Sequence, residues 1–518
     1  MEQIKWQDLQ HIVKDGDVIG VAALTVSNLP AELLRNLLDT YDKTGSPKEL
    51  TFINANDISS MGLEPELDDF VERGMISRII MSIMTASPKT AEAIKNNEIE
   101  AYFLPQGVIA THYRQTNSIL PGVITKIGLN TTIDPRYKGG RTNEKTTEQL
   151  VTFLNIENED YLHYQLPSVD VALLRGTYAD KQGNIYVSQE AYLSEGYSVA
   201  LNAKSTHGTV IVQVKEIIDT PDINPDDVFI PGSLVDYVYV VGDSKHHRQL
   251  IQTDYDPVFS GEGTTKKRID PPLPFNTRKT ILRRAAQFLN EGDTISIGFG
   301  INNELSNLLY EENVEHQVQP VQDIGIFGGF IGSGKHFGMN ANFDFRLPHD
   351  QTWDFIYNGG ISVAYLSFAE IDQNGNVNVS YFGNRMNGCG GFIDISQSVQ
   401  RIIFSGSLVA RSQLTIKDEQ LEVIEEGTTQ KFIPEVSNID FNASYAKTLN
   451  QEVYIVTDRA VFELRDEGLT LIEIAPGLNL EKDIIQQMGF KPLIAKDLKT
   501  IDHTIYQEQW GLLARSIH

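Results

Sequence analysis

A chain of 518 residues has room for more than one domain, and 41% hydrophobic with 22% charged residues is the make-up of a globular protein with ample core. A formal net charge of −26 argues against nucleic acid or an anionic membrane surface as partner, since both need a basic footprint. The single cysteine, Cys389, excludes an internal disulfide, and with no secretory pattern at Met1-Glu-Gln-Ile-Lys-Trp6 and no apolar run near membrane-spanning length, a soluble cytoplasmic protein is expected.

Asp15–Leu24 reads as a turn feeding a buried strand, and the Asn28–Leu38 stretch as a helix with Pro30 near its first turn and Leu33, Leu34, Leu37 and Leu38 on one face. Glu49–Ala55 is a strand, Ala91–Asn97 a helix, and Ile99–Leu104 a strand ending in Pro105-Gln106-Gly107. Val169–Leu174 and Gly208–Val214 continue the strands, with Ala191–Ala203 helical between them. Strands alternating with helices predict an α/β architecture whose sheet is open and mostly parallel. Asn56–Ser60, Asp134–Thr147 and Thr415–Gly427 read as surface excursions.

The second half repeats the first. Asp15-Gly-Asp-Val-Ile-Gly is echoed by Glu291-Gly-Asp-Thr-Ile-Ser, and Glu32-Leu-Leu-Arg-Asn-Leu-Leu by Glu304-Leu-Ser-Asn-Leu-Leu. Val171–Ser188 is echoed without a gap by Val363–Ser380, with Asp180, Gly183, Asn184, Val187 and Ser188 matching Asp372, Gly375, Asn376, Val379 and Ser380. An Asp-x-x-Gly-Asn run before alternating apolar residues is a hairpin turn leading into a strand. The expectation is two tandem, related α/β domains, 1–255 and 276–518, joined by a Pro-, Gly- and charge-rich linker at 256–275, with the site at their interface.

Val321–Gly338 packs Gly325, Gly328, Gly329, Gly332, Gly334 and Gly338 behind one acid, Asp323. Glycine at this density lets backbone approach a ligand; the acid at its lip could attack an electrophile or could cap a turn. Gly329–His336 nearly spells a P-loop, but His336 stands where a hydroxyl is needed and Phe337–Asn340 is a poor helix start, so a nucleotide triphosphatase is not expected. The eleven histidines, His112 and His246-His247 among them, show no metal spacing, so no metal is predicted.

With both halves and this glycine stretch in view, the chain resembles the family I coenzyme A transferases, in particular the long single-chain acetate/propionate type. The resemblance spans nearly the whole length and rests on Leu104-Pro-Gln-Gly107, Asp256-Pro-Val-Phe-Ser-Gly-Glu262, Asp372–Ser380, Gly388-Cys-Gly-Gly-Phe-Ile-Asp-Ile-Ser-Gln397 and Ile295-Ser-Ile-Gly-Phe-Gly-Ile-Asn302. It implies acyl-CoA and short-chain carboxylates as partners and coenzyme A as a substrate; a homo-oligomer is expected only because symmetric association is common among soluble enzymes of this size. The family's nucleophile is a glutamate in Glu-x-Gly-x-x-Gly-Gly; here that register falls on Asp323-Ile-Gly325-Ile-Phe-Gly328-Gly329, one methylene shorter.

By the same resemblance the catalytic candidates are Asp323 and Gln106. The candidates for holding coenzyme A are Gly298, Phe299, Gly300, Ile301, Asn302, Gly388, Gly390 and Gly391. Gln106 and the Gly388–Gly391 loop would face the developing oxyanion, although Gln106 also fits as a plain turn residue. Cys389 has no histidine near it in sequence and reads as a small buried residue. Aspartate ends about 1.5 Å short of glutamate's reach, one C–C bond. It could support transfer through a β-aspartyl thioester, hold a hydrolytic water, or leave a coenzyme A-binding protein without turnover. Glu370 is a possible substitute acid that reads better as a strand-end residue. Lys266, Lys267, Arg268, Arg278, Lys279, Arg283 and Arg284 could meet the coenzyme's phosphates, though a solvated helix face also explains the last four.

Overall fold

The computed structural model describes all residues except 1, 6, 7, 61, 117, 118, 220–223, 267–269, 337, 384 and 518. Lys267, Arg268 and Phe337 of the sequence reading therefore lie outside the described residues. The first half builds β1 (Val18–Val21), α1 (Ala31–Thr44), β2 (Leu50–Asn54), β3 (Ile76–Met81), β4 (Glu100–Phe103), α2 (Gln106–Gln115), β5 (Val171–Arg175), α3 (Gly196–Ser205), β6 (Thr209–Val214) and β7 (Tyr237–Val240). The second half builds α4 (Thr277–Ala286), β8 (Thr294–Ile297), α5 (Leu305–Glu311), β9 (Gln319–Gln322), α6 (His349–Tyr357), β10 (Val363–Ser367), α7 (Phe392–Ser396), β11 (Arg401–Gly406) and β12 (Glu452–Thr457).

Two sheets result, and their central orders correspond. In the first, β7-β6-β5-β1-β2-β3-β4 are all parallel, with Glu2–Gln3 at the edge. In the second, β12-β11-β10-β8-β9 are parallel, flanked by antiparallel strands on both sides. Each sheet thus starts at a central strand, β1 or β8, winds one way first and then the other. Even the hairpin echo is reproduced. Asp180 Oδ1 accepts from the backbone of Gln182 and Asn184 as Asp372 Oδ1 does from Asn374 and Asn376, and Gly183 and Gly375 have φ of +87° and +88°. Only glycine takes that left-handed conformation without strain, which is why it recurs at both turns.

Helix α1 shows how the sequence dictates this packing. Leu33, Leu34, Leu37 and Leu38 fall on one face and are buried, and Gly45 closes the helix in the left-handed region at φ +74°. Other expected elements shift at their ends: the helix placed at Ala91–Asn97 runs Pro88–Lys95, and that placed at Ala191–Ala203 begins only at Gly196. The segment before it, through Tyr192 and Glu195, is buried against the second half instead.

Two surface assignments need correcting. Asn56–Ser60 is buried throughout, because it follows β2 at the end of the sheet that meets the second half; Asn56 Nδ2, Asp57 Oδ1 and Ser59 Oγ are buried without hydrogen-bond partners. Burial raises the Asp57 carboxyl to about 6. Within 134–147, Asp134 and Thr146 are buried, Asp134 accepting from Asn130 N and Arg136. The 415–427 stretch is a hairpin that is largely exposed or half-buried, with Leu421 buried and Ile416 packed on the core. The segment 256–275 is also more than a tether, since Phe259 is buried beside Ile324, Ile326 and Met339, and Asp270 accepts from Ser333 N and Oγ at 2.7 Å.

The halves are packed together closely. One apolar cluster runs from Ile53, Tyr102 and Val108 through Trp353 and Ile393 to Phe404 and Phe462. Polar ties cross the same contact: Arg114 Nη1 meets Asp354 at 3.0 Å, Thr132 N donates to Ile439 O, and Met84 N donates to Asn387 O at 2.7 Å. Gly390 N donates to Ser82 O and Gln106 N to Gly390 O, so the 387–391 loop is stitched onto the ends of β3 and β4.

Candidate active site

In open parallel sheets, ligands bind outside the carboxyl ends of the strands where the winding reverses. In the second half that point lies between β8 and β10, and a cavity of about 350 Å³ opens there. Gly300 and Ile301 line it from the loop after β8, Ser367 and Phe368 from β10, Ser405–Ser407 from β11, and Asp458 from β12; Arg278, Arg411 and Lys431 supply cations. The first half has the same reversal between β1 and β5 but fills it. The residue matching Ser367 in the echoed strand is Arg175, whose guanidinium bonds Glu190 at 2.8 Å and the carbonyls of Val26, Leu29 and Arg248. A serine in place of an arginine leaves the second crevice open.

Of the sequence-predicted loop Gly298–Asn302, Gly300 and Ile301 line this cavity, and Gly298, Phe299 and Asn302 do not. Gly298 N is held by Tyr365 O, Phe299 is exposed, and Gly300 has φ +102° with Ser367 Oγ only 2.6 Å from where a Cβ would stand. Asn302 is fully buried and neither atom of its amide has a partner. Of the basic group, Arg278 reaches the cavity but is paired with Glu304 at 2.9 Å. Lys279, Arg283 and Arg284 do not form a solvated face: they are buried, Lys279 against Glu311, Arg284 against Glu473 at 2.7 Å, and Arg283 on the carbonyls of Ile505, Gln507 and Glu508. Lys431, which the sequence reading did not single out, is a cation that does line the cavity. It is buried over the Phe368 ring at 4.0 Å and donates to Phe368 O, and burial lowers it to about 8 against the pull of Asp458.

Asp323 follows β9, the neighbour of β8, so its backbone is roughly one strand spacing, about 4.8 Å, from the strand that carries the cavity wall. Its carboxylate faces the Gly391 loop of its own half and Gln106 of the other. Oδ2 lies 2.8 Å from where a Cβ on Gly391 would stand, with Trp353 Cη2 at 2.8 Å and Gln106 Oε1 at 3.4 Å from the same point. The shorter acid therefore spans the gap to the Gly388–Gly391 loop. The residue is half-buried, and desolvation raises its pKa, partly offset by His349 and by the backbone N–H groups of Ile324 and Asp323.

Gln106 opens α2 and is buried; its Nε2 is 3.1 Å from His349 Nε2. His349 opens α6, with its Nδ1 2.8 Å from Glu195 Oε2, while Trp353 Nε1 donates to His349 Nε2 at 3.1 Å. Glu195, His349 and Trp353 were not singled out from the sequence. The spacing of His349 and Trp353, four residues apart on one helix face, was the available signal.

The three glycines and the cysteine of the 388–391 loop differ in their surroundings. Gly388 (φ +77°) has Ser82 O 2.3 Å from its Cβ position, Gly390 (φ +52°) faces open space out to 3.7 Å, and a Cβ on Gly391 would stand 2.8 Å from Asp323 Oδ2. Gly391 alone lies beside the Asp323 carboxylate, and none of the three glycines lines the cavity of about 350 Å³, where the sequence reading places them to hold coenzyme A. Cys389 is buried, and burial pushes its thiol up and disfavours the thiolate. Glu370 accepts from Asn378 Nδ2 at the start of its strand. Residues Gly334–His336 form a single 3-10 turn and not the start of a phosphate-binding helix. Among the described residues no group of three His, Cys, Asp or Glu is placed to hold a metal, and no helix is long and apolar enough to cross a membrane.

Comparison with known proteins places this geometry. The coenzyme A transferase family profile matches residues 7–241, and a caffeate CoA-transferase of Acetobacterium woodii is 37% identical over 98% of both chains. This chain belongs to the coenzyme A transferases. This transferase is also 35% identical to acetate CoA-transferase YdiF of Escherichia coli K12, over 92% of this chain and 89% of that one. Its fold superposes on the YdiF apoenzyme from Escherichia coli O157:H7 with a TM-score of 0.92, 32% identity, and 98% and 97% coverage; a YdiF thioester complex with CoA gives the same figures.

Proposed function

We propose that this transferase exchanges coenzyme A between short-chain carboxylic acids such as acetate and propionate, with Asp323 as the nucleophile. The observation that carries the reading is the Asp323 carboxylate set against Gly391 and Gln106 where the halves meet, beside the strand whose loop walls the cavity. The solved YdiF thioester complex supports an enzyme-bound thioester in this family. The two halves act as domains, 1–255 and 276–518, each supplying part of the site across the 256–275 linker.

The carboxylate adds to the acyl-CoA carbonyl, and collapse of the tetrahedral adduct expels CoA thiolate and leaves an acyl–aspartyl anhydride. The thiolate then adds to the aspartyl carbonyl, and the first acid departs as its carboxylate. A β-aspartyl–CoA thioester remains, and a second carboxylate reverses both steps. No proton is gained or lost overall. Each adduct carries an oxyanion, for which the Gln106 amide and the 388–391 backbone are the nearest polar groups. Coenzyme A extends from Asp323 past Gly298–Asn302 into the cavity, toward Lys431.

Incubation with acetyl-CoA and propionate tests this directly: propionyl-CoA should form with parallel double-reciprocal lines. Free CoA without propionyl-CoA, or no reaction with any pair of short acids, would overturn the proposal. Lys431→Met should raise KM for acyl-CoA about tenfold with kcat little changed, as expected when a charge-assisted contact made equally in ground and transition states is lost. Steady-state kinetics at fixed acceptor check it.

A further inference from the structure

Four buried side chains from both halves converge beside Asp323, and their donors and acceptors conflict with one role of Gln106. An indole N–H can only donate. Trp353 Nε1–H points at His349 Nε2 from 3.1 Å, so that nitrogen is the lone-pair side of the ring and the ring proton is on Nδ1, facing Glu195 Oε2 at 2.8 Å. Gln106 Nε2 also approaches His349 Nε2, at 3.1 Å, and can only donate there. Its carbonyl oxygen is then the end left facing Gly391 and Asp323. An amide oxygen repels a developing oxyanion, and only the opposite end of the amide can stabilise one.

The amide turns round if His349 Nε2 carries a hydrogen to give to the Gln106 oxygen. We propose that His349, held by Glu195, is the positioning residue that sets which end of the Gln106 amide faces the reacting carbonyl, and that the N–H end faces it only when both ring nitrogens are protonated. The proposal rests on the transferase reading of Asp323 and Gln106.

The surroundings favour the doubly protonated ring. Glu195 faces it from the turn before α3, Asp323 from the turn after β9, and Asp350 from its own helix, itself bonded to Ser198 at 2.8 Å and Arg114 at 3.0 Å. Burial alone would depress His349, but Glu195 and, less strongly, Asp323 and Asp350 outweigh it and raise the ring. Glu195 Oε1 is buried without a partner, so its charge is not spent on another contact. Trp353 opposes, because its N–H loses its acceptor when Nε2 is protonated. A raised ring pKa means the active orientation is present at low pH and is lost as pH rises through that value.

The pH dependence of kcat/KM should therefore fall on the alkaline side, and two substitutions should move that limb in opposite directions. Glu195→Gln removes the favouring charge and should shift it down by about one unit or more. Trp353→Phe removes the competing donor and should shift it up. Ring ¹⁵N spectra of histidine-labelled protein, with His349 assigned by its loss in His349→Gln, follow the same protonation without turnover. The Gln106 side-chain NH₂ signal should move with the same midpoint. A limb that stays in place in both variants, or a His349 ring that is singly protonated throughout the active range, or a Gln106 signal indifferent to His349, would overturn the proposal. If the protein transfers no CoA, the spectra still decide the His349–Gln106 coupling, so the two readings fail separately.

Discussion

Asp323→Asn should abolish CoA transfer, by on the order of 10⁴-fold or more, as for removal of other covalent nucleophiles. The replacement is nearly isosteric and keeps the contacts with Gly391, Trp353 and Gln106, but a carboxamide nitrogen or oxygen does not form the anhydride. Mass analysis of the intact protein after exposure to acyl-CoA should show a CoA adduct on the parent and none on the variant. The same substitution should stabilise the fold at neutral pH. Desolvation raises the Asp323 carboxyl in the folded chain, so the unfolded chain ionises more readily. That penalty is present above the unfolded pKa and is relieved as pH falls through the folded one. A Tm higher than the parent's at pH 7, with the gap closing in acid, is the expected pattern, and an equal gap at all pH values would contradict the assignment of a desolvated charge.

A second carboxyl near this one sharpens the point. Asp394, on α7, is fully buried; its Oδ1 accepts from Tyr357 Oη at 2.7 Å and its Oδ2 has no partner. Burial raises it to about 7, against its bonds to Tyr357 and Gly107 N and with a further push from the Asp323 charge. Two acids this close share one negative charge more easily than two. In Asp323→Asn that push is gone, so Asp394 should ionise at lower pH than in the parent, a shift that carboxyl infrared difference spectra can follow.

Much of this architecture was written locally. The Asp-x-x-Gly-Asn turns needed only five residues to announce a repeat, because a left-handed glycine and a capping aspartate make the turn whatever surrounds it. Asp323 was legible for a similar reason, as the only acid at the lip of a glycine run. What stayed hidden depends on distant partners. His349 meets Gln106 across 243 positions and Glu195 across 154, and no period or spacing links them. Lys279, Arg283 and Arg284 looked like a charged surface because helix α4 has no polar face to contrast with. Their partners, Glu311, Glu473 and the 505–508 carbonyls, come from elsewhere in the chain. The difference between Arg175 and Ser367 was visible in the echoed strands. Its meaning appears only once both fall at a reversal in the sheet, where one side chain fills a crevice and the other leaves it open.

Gly391→Ala should cut transfer by about 10²-fold while leaving the fold intact, the cost expected for displacing a reacting group by about 1 Å. The backbone there is at φ −85°, which alanine adopts freely, so the substitution acts only through its methyl group. That methyl would stand 2.8 Å from Asp323 Oδ2 and 2.8 Å from Trp353 Cη2, and Trp353 is fully buried against Gly107 and cannot yield. The carboxylate must move instead, away from Gln106. The neighbouring glycine is the control. Gly390 has φ +52° but nothing closer than 3.7 Å to a Cβ, so Gly390→Ala should lower stability by about 1 kcal/mol through backbone strain and leave the carboxylate where it is. Gly391→Ala should therefore lose most of its rate, with some Tm lost to the tight contact with Trp353, and Gly390→Ala should lose Tm with most of the rate kept. If Gly390→Ala loses as much rate as Gly391→Ala, the loop acts only as a seam between the halves and the approach of Gly391 to Asp323 carries no chemistry.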